Sequence, residues 1–175
     1  MEFHAFLESC IGTWFSQRTS YNFHNNNAES KKSEVIMESV SPDDPSLQGI
    51  YQASTLTPSS SLSGIKMNWE SSGDWGAPKQ KGAAVWLFVP SEESRLKGQL
   101  FRQLLTPQPG LLTGRYLLGA DESLTLILES DSLYSEERIW FASNNLRLRT
   151  SLIKNGDRFS HSAFYSEIRK LPPSA

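Results

Sequence analysis

The densest concentration of groups able to do chemistry is Glu136-Glu137-Arg138-Ile139-Trp140-Phe141-Ala142-Ser143-Asn144-Asn145-Leu146-Arg147-Leu148-Arg149-Thr150-Ser151. Adjacent Glu136 and Glu137 look like a catalytic carboxylate pair. Neighbours on a β-strand, however, point to opposite faces, so the two are not expected to flank one bond as a glycosidase pair must. On the next segment Arg147, Arg149 and Ser151 share one face while Leu146, Leu148 and Leu152 share the other. Alternation alone favours inward leucines and arginines in water. The opposite choice makes a polar inner wall with two cations, which only a barrel enclosing a cavity could tolerate.

Arg18 poses a similar question. If Trp14 points inward, period-two alternation takes Ser16, Arg18 and Ser20 with it. A guanidinium removed from water costs several kcal/mol unless it is paired, so a protein carboxylate, a position at the barrel mouth, or an anionic ligand must compensate. Trp69 lies on the Ile65-Met67-Trp69 face and reads as an inward core aromatic. Trp75, in Gly73-Asp74-Trp75-Gly76, falls in a turn, as a gate to a ligand mouth or an ordinary surface aromatic. His4, His24 and His161 stand far apart and Cys10 is the single cysteine, so neither a metal site nor a disulfide is expected. A glycine-rich phosphate loop, a Gly-x-Ser-x-Gly elbow and a His-Glu-x-x-His helix are all missing.

The elements that must position these residues follow from periodicity. Phe3, Phe6, Leu7, Cys10 and Ile11 have the spacing of one apolar helical face over 2–11, with Gly12 as a C-terminal stop. Strands are expected at 13–23, 32–40, 47–56, 64–71, 82–89, 97–105, 111–118, 123–130, 134–142, 145–154 and 158–169. Between them lie turn signals such as Ser41-Pro42-Asp43-Asp44-Pro45, Pro107-Gln108-Pro109-Gly110 and Lys154-Asn155-Gly156-Asp157, with a low-complexity loop at 57–63. Consecutive short strands without crossover helices imply an antiparallel meander, and closure removes its sticky edges. The fold class is therefore all-β: an up-and-down antiparallel β-barrel of about ten strands with a short N-terminal helix, a β-sandwich being the alternative. Gly12-Thr13-Trp14, between helix and meander, adds the Gly-x-Trp of lipocalin-like barrels, in which the Trp plugs the closed end.

At 175 residues with five Trp, five Tyr and nine Phe, the chain is expected to form a single domain, 1–175, with a substantial core. A net charge of −2 with dispersed basic residues argues against nucleic acid. No apolar run near the length of a membrane span and no signal segment can be found, so an intracellular protein without membrane insertion is expected.

Three strings carry a resemblance: Gly12-Thr13-Trp14-Phe15-Ser16-Gln17-Arg18-Thr19-Ser20, Glu136-Glu137-Arg138-Ile139-Trp140-Phe141-Ala142-Ser143, and Leu146-Arg147-Leu148-Arg149-Thr150-Ser151. With Gly114-Arg115-Tyr116, Leu124-Thr125-Leu126 and the closing Ser166-Glu167-Ile168-Arg169, they make the chain similar to the S-type (CpcS/CpeS, including U-type) phycobiliprotein lyases along nearly its whole length. The resemblance implies a lipocalin-like barrel that binds a phycobilin, phycocyanobilin or phycoerythrobilin. The bilin is a transferred substrate, not a permanent cofactor, and is attached by a thioether to a cysteine of an apo-phycobiliprotein (phycocyanin, allophycocyanin or phycoerythrin). It also implies a cytoplasmic or plastid-stromal location and a homodimer or a heterodimer with a related lyase subunit. Residues implicated in the family correspond to Arg18, Trp69, Trp75, Arg147 and Ser151 for the pigment, with Arg149 a further candidate for its propionates and Glu137 the candidate acid–base group. This placement turns Arg147 inward, against the alternation argument. Tyr21-Asn22-Phe23-His24 and Tyr165 depart from relatives that carry His or Cys there, and Asn144 stands where a Pro is expected. No role of those His or Cys residues transfers. The nucleophilic thiol belongs to the acceptor, and Cys10 is expected in the core.

Overall fold

In a computed structural model, residues 1–71, 79–106 and 110–171 are described. The N-terminal helix α1, Phe3–Cys10, buries Phe3, Phe6, Leu7 and Cys10, the face that the spacing marks as apolar. It closes one end of a barrel. Phe3 stacks on Tyr116 at 4.4 Å between ring centroids and meets Phe88 edge-on at 5.3 Å, and Phe6 meets Phe141 at 5.3 Å.

The helix ends at an extended Ile11, and Gly12 has φ +130°, a conformation that disfavours any side chain. A Cβ there would also come within 2.8 Å of the Arg169 guanidinium. That proximity has a use. Arg169 donates to the carbonyls of Ser9 and Ile11, both at 2.6 Å, so a cation caps the orphan carbonyls of α1.

Ten antiparallel strands follow: β1 (Gly12–Asn22), β2 (Asn27–Val40), β3 (Ser63–Ser71), β4 (Lys81–Pro90), β5 (Lys97–Leu104), β6 (Leu111–Leu118), β7 (Leu124–Glu129), β8 (Leu133–Ser143), β9 (Leu146–Asn155) and β10 (Arg158–Arg169). Each pairs with its neighbours in sequence, and β1 pairs with β10 to close the barrel. The closing register sets Trp14 opposite Arg169, Ser16 opposite Glu167 and Arg18 opposite Tyr165. The expected all-β meander with a short helix is what forms.

Two expected elements differ. The strand anticipated at 47–56 is a 3₁₀ turn, Pro45–Leu47, running into a helix α2, Gln48–Ala53. Asp44 accepts from the Ser46 N–H and Pro45 suits a first helical position. Leu47, Ile50 and Tyr51 have helical, not alternating, spacing. They cover the outer face of β4, where Val85 and Leu87 are buried with Leu62. β2 begins at Asn27, five residues earlier than expected, because Asn26 takes a positive φ of 53° and tightens the preceding turn.

Trp14 is fully buried. Its indole N–H donates to the Cys10 carbonyl at 2.9 Å, and its ring lies between the guanidiniums of Arg147 and Arg169, 4.5 and 4.2 Å from its centroid. The plug is thus tied to helix, first strand and last two strands at once.

Candidate functional site

The hairpin turns β1–β2, β7–β8 and β9–β10 lie at the end of the barrel opposite α1. Below that mouth is a chamber of about 310 Å³ lined by Arg18, Lys31, Trp69, Trp86, Arg102, Glu137, Arg149 and Tyr165. It narrows onto a recess of about 40 Å³ against α1, lined by Leu7, Cys10, Met37, Phe88, Ile139 and Arg147 among others. Met67, Trp86, Glu137 and Arg149 border both, so charged groups ring an apolar floor.

Alternation puts polar groups of β9 and β10 inside. Arg147 is 3% exposed, while Leu146 and Leu148 face outward beside Ile168, which is 55% exposed, and Trp140. The outward placement of the arginines favoured by simple alternation is therefore incorrect, and the inward placement implied by the resemblance holds. The reason is a buried carboxylate on β10, Glu167.

Glu167, fully buried, accepts from Arg147 Nε at 2.7 Å, from Ser16 Oγ at 3.1 Å and from Arg149 Nη2 at 3.3 Å. Burial alone would raise its carboxyl, but Arg149, Arg147 and the Ser16 hydroxyl outweigh that and hold it below its ordinary value. Arg149 also donates to Glu137 at 3.3 Å and lies 3.8 Å over the Tyr165 ring. Burial works against its charge, yet Glu167 and Glu137 hold its proton more tightly than in water. Two cations and two anions thus form one network inside the barrel. In the sequence Glu167 is marked by its place in Ser166-Glu167-Ile168-Arg169 and by its parity with Tyr165 and Arg169 on a strand whose Phe164 and Ile168 face out.

The other candidates separate as follows. Glu136 and Glu137 point to opposite faces: Glu136 takes a hydrogen bond from Tyr134, while Glu137 enters the chamber. Arg18 faces inward at the rim, its Nη2 3.5 Å from Glu29, so a carboxylate meets it only in part. Trp69 lines the chamber wall and sits in register with Gly82, where any side chain would run into its indole. Ser151 is in register with Glu137, at the inner face, but is not among the residues lining the chamber. Arg147 lies beneath, at the recess, also within 2.9 Å of the Met37 sulfur. Trp75 lies outside the described residues. Cys10 is 2% exposed and burial pushes its thiol up, so it is packing, as expected.

Four buried side-chain polar atoms have no hydrogen-bond partner among the described residues, and three are the Nε groups of Arg18, Arg102 and Arg149. All three arginines line the same chamber. Orphaned donors of this kind cost free energy, and the three side chains that carry them give one chamber a positively charged lining.

The closed meander, its plugged base and its cation-lined chamber define a lipocalin-like ligand-binding barrel. A sequence profile of the CpeS-like protein family matches residues 2–170. Chromophore lyase CpcS/CpeS 1 of Synechocystis sp. is 41% identical over 174 residues, covering 99% of this chain and 94% of the relative. Chromophore lyase CpcS/CpeS of Thermosynechococcus vestitus is 38% identical over 169 residues, covering 97% and 93%. The solved S-type phycobiliprotein lyase CPES from Guillardia theta superposes with a TM-score of 0.82 at 29% identity, over 98% of this chain and 94% of that one. The chain belongs to the CpeS-like family and is a chromophore lyase.

Proposed function

We propose that the chamber receives a phycobilin, phycocyanobilin or phycoerythrobilin, and holds it while a cysteine of an apo-phycobiliprotein subunit forms a thioether to it. The observation that carries this reading is the set of three orphaned guanidinium Nε groups around a single cavity with Trp69 and Trp86 in its walls. A linear tetrapyrrole offers what they lack: propionates for the cations, a flat conjugated face for the indoles and pyrrole N–H donors for Glu137. A cavity of about 310 Å³ is at the low end of the roughly 300–1,000 Å³ usual for ligand sites. The barrel therefore sheathes part of the pigment and leaves ring A at the mouth, where the acceptor thiol must reach it.

In this reading Arg149 fixes the Glu137 carboxylate, and Glu137 accepts from the pyrrole N–H groups, favouring a protonated and more electrophilic tetrapyrrole. The thiol sulfur adds to the ethylidene carbon of ring A and its proton ends on the tetrapyrrole, so no oxidant or leaving group is required. Arg18 and Trp69 hold the pigment near the rim, Arg147 and Ser151 flank the network from below and above, and Trp75 belongs to the same reading from the β3–β4 connection. Residues 1–175 act as one bilin-binding unit, paired with a second copy or with a related lyase subunit. The protein works in the cyanobacterial cytoplasm, or in the stroma where plastid-encoded. No helix among the described residues is long and apolar enough to cross a membrane.

Co-expression with a bilin-producing pathway and an apo-subunit tests the whole reading. A covalent, zinc-fluorescent acceptor band should appear only when this chain is present. Saturable pigment binding without that band would make the protein a carrier, and a flat titration would leave only a general binder of small lipophiles.

Gly82→Ala is expected to weaken phycocyanobilin binding by roughly 5- to 10-fold, because the new methyl displaces the Trp69 indole from the wall. A visible-light titration reads the affinity and tryptophan fluorescence reads the displacement. A moved indole with unaltered affinity would take Trp69 out of the contact surface.

A further inference from the structure

The charges inside the barrel do not cancel evenly. Arg147 and Arg149 are met by Glu167 and Glu137, and Arg18 is met at the rim by Glu29. Arg102 has no ion pair or hydrogen bond to any described residue. Its position is nevertheless well defined: β4 and β5 pair so that Arg102 sits opposite Trp86, and its guanidinium lies 5.1 Å over that indole. Stacking fixes the plane of the fork. Nε is buried without a partner, and the side chain lines the chamber. β5 is four strands from β9 around the closed barrel, so Arg102 faces the Arg149–Glu137 pair from the opposite wall.

We propose that Arg102 is the principal anchor for a carboxylate of the ligand, a propionate of the bilin, and that Arg147 and Arg149 serve mainly to hold Glu137 and Glu167 in place. The proposal rests on the bilin reading above and adds which cation the acid group meets. An acid facing Arg102 gains a bidentate partner that no described carboxylate contacts, Glu137 acting on it only through space. An acid facing Arg149 must compete with Glu137 and Glu167 for the same fork. Burial disfavours the charge of Arg102 in the unliganded protein and the distant Glu137 offsets only part of that, so occupation by a carboxylate relieves the remaining cost.

The experiment compares phycocyanobilin with its dimethyl ester, titrated into the wild type, Arg102→Gln and Arg102→Met, with Arg115→Gln as control. Arg115 pairs with Glu129 on the outer surface. The free acid should bind the two Arg102 variants about 10-fold or more weakly, while the ester binds wild type and variants within about twofold of each other on the same scale. Arg115→Gln should change neither. Thermal unfolding of the unliganded variants should show no loss of stability, since an unpaired buried charge has been removed. An acid-to-ester affinity ratio equal in wild type and both variants overturns the assignment to Arg102. A wild type that binds neither pigment overturns the bilin reading itself, a distinct result that takes this assignment with it.

Discussion

Glu167→Gln is expected to destabilise the folded protein by about 3–5 kcal/mol at neutral pH, the range for breaking a buried ion pair from one side. The carboxylate is fully buried and receives hydrogen bonds from two arginines of β9 and a serine of β1. Glutamine keeps the shape and one acceptor but removes the charge. Arg147, already 3% exposed, keeps at most a neutral acceptor beside the Met37 sulfur and the Trp14 ring and loses its counter-charge. Urea unfolding at several pH values measures the effect.

The sign of the pH dependence follows from the direction of the Glu167 shift. Burial raises the carboxyl, but Arg149, Arg147 and Ser16 lower it further, so its folded pKa lies below the ordinary 4.5. The unfolded chain then binds this proton more readily than the folded one. The stabilisation is complete above the ordinary carboxylate range and disappears as pH falls below 4.5 and through the folded value. Wild type should therefore lose stability steeply in acid, while Glu167→Gln lacks that component and the two curves converge. Parallel curves separated by less than about 1 kcal/mol at pH 7 would show that the network stabilises little.

Much of this architecture was legible because local chemistry and global fold agreed. Gly12 marked the helix-to-strand corner, and alternation from Trp14 through Ser16 and Arg18 gave the inner face of β1. The Asn155-Gly156 turn fixed the last hairpin. Two features failed for identifiable reasons. α2 falls where a strand is expected because a one-layer meander does not anticipate a helix packed on the outside of the barrel, although Leu47, Ile50 and Tyr51 are spaced for one. The inner face of β9 runs against the pattern because leucines outside and arginines inside invert the usual preference. That inversion is stable only when β10 delivers Glu167 into register with Ser16 and Arg147, a pairing that exists only once the barrel has closed. Arg102 escaped notice because a lone cation in Phe101-Arg102-Gln103 carries no local mark. Its significance comes from Trp86 beside it and from having no carboxylate in contact with it among the described residues.

Glu137→Gln should leave pigment binding nearly intact and lower the rate of thioether formation by roughly 100-fold or more, the effect of losing a positioned acid–base group. Glutamine can still accept the Arg149 hydrogen bond that Glu137 now receives at 3.3 Å, so the shape of the chamber survives. What disappears is the negative charge that would draw a proton onto the tetrapyrrole. The bound pigment should accordingly lose the long-wavelength absorption of its protonated form at neutral pH, and lowering the pH should restore part of it by supplying the proton from solvent. Single-turnover transfer to an excess of acceptor subunit isolates the chemical step from pigment loading. A rate within about threefold of wild type, or under ~0.7 kcal/mol of barrier, would mean that orienting ring A at the mouth suffices. Glu137 would then be a positioning group for Arg149, and the electrophilicity of the bilin would come from the bilin alone.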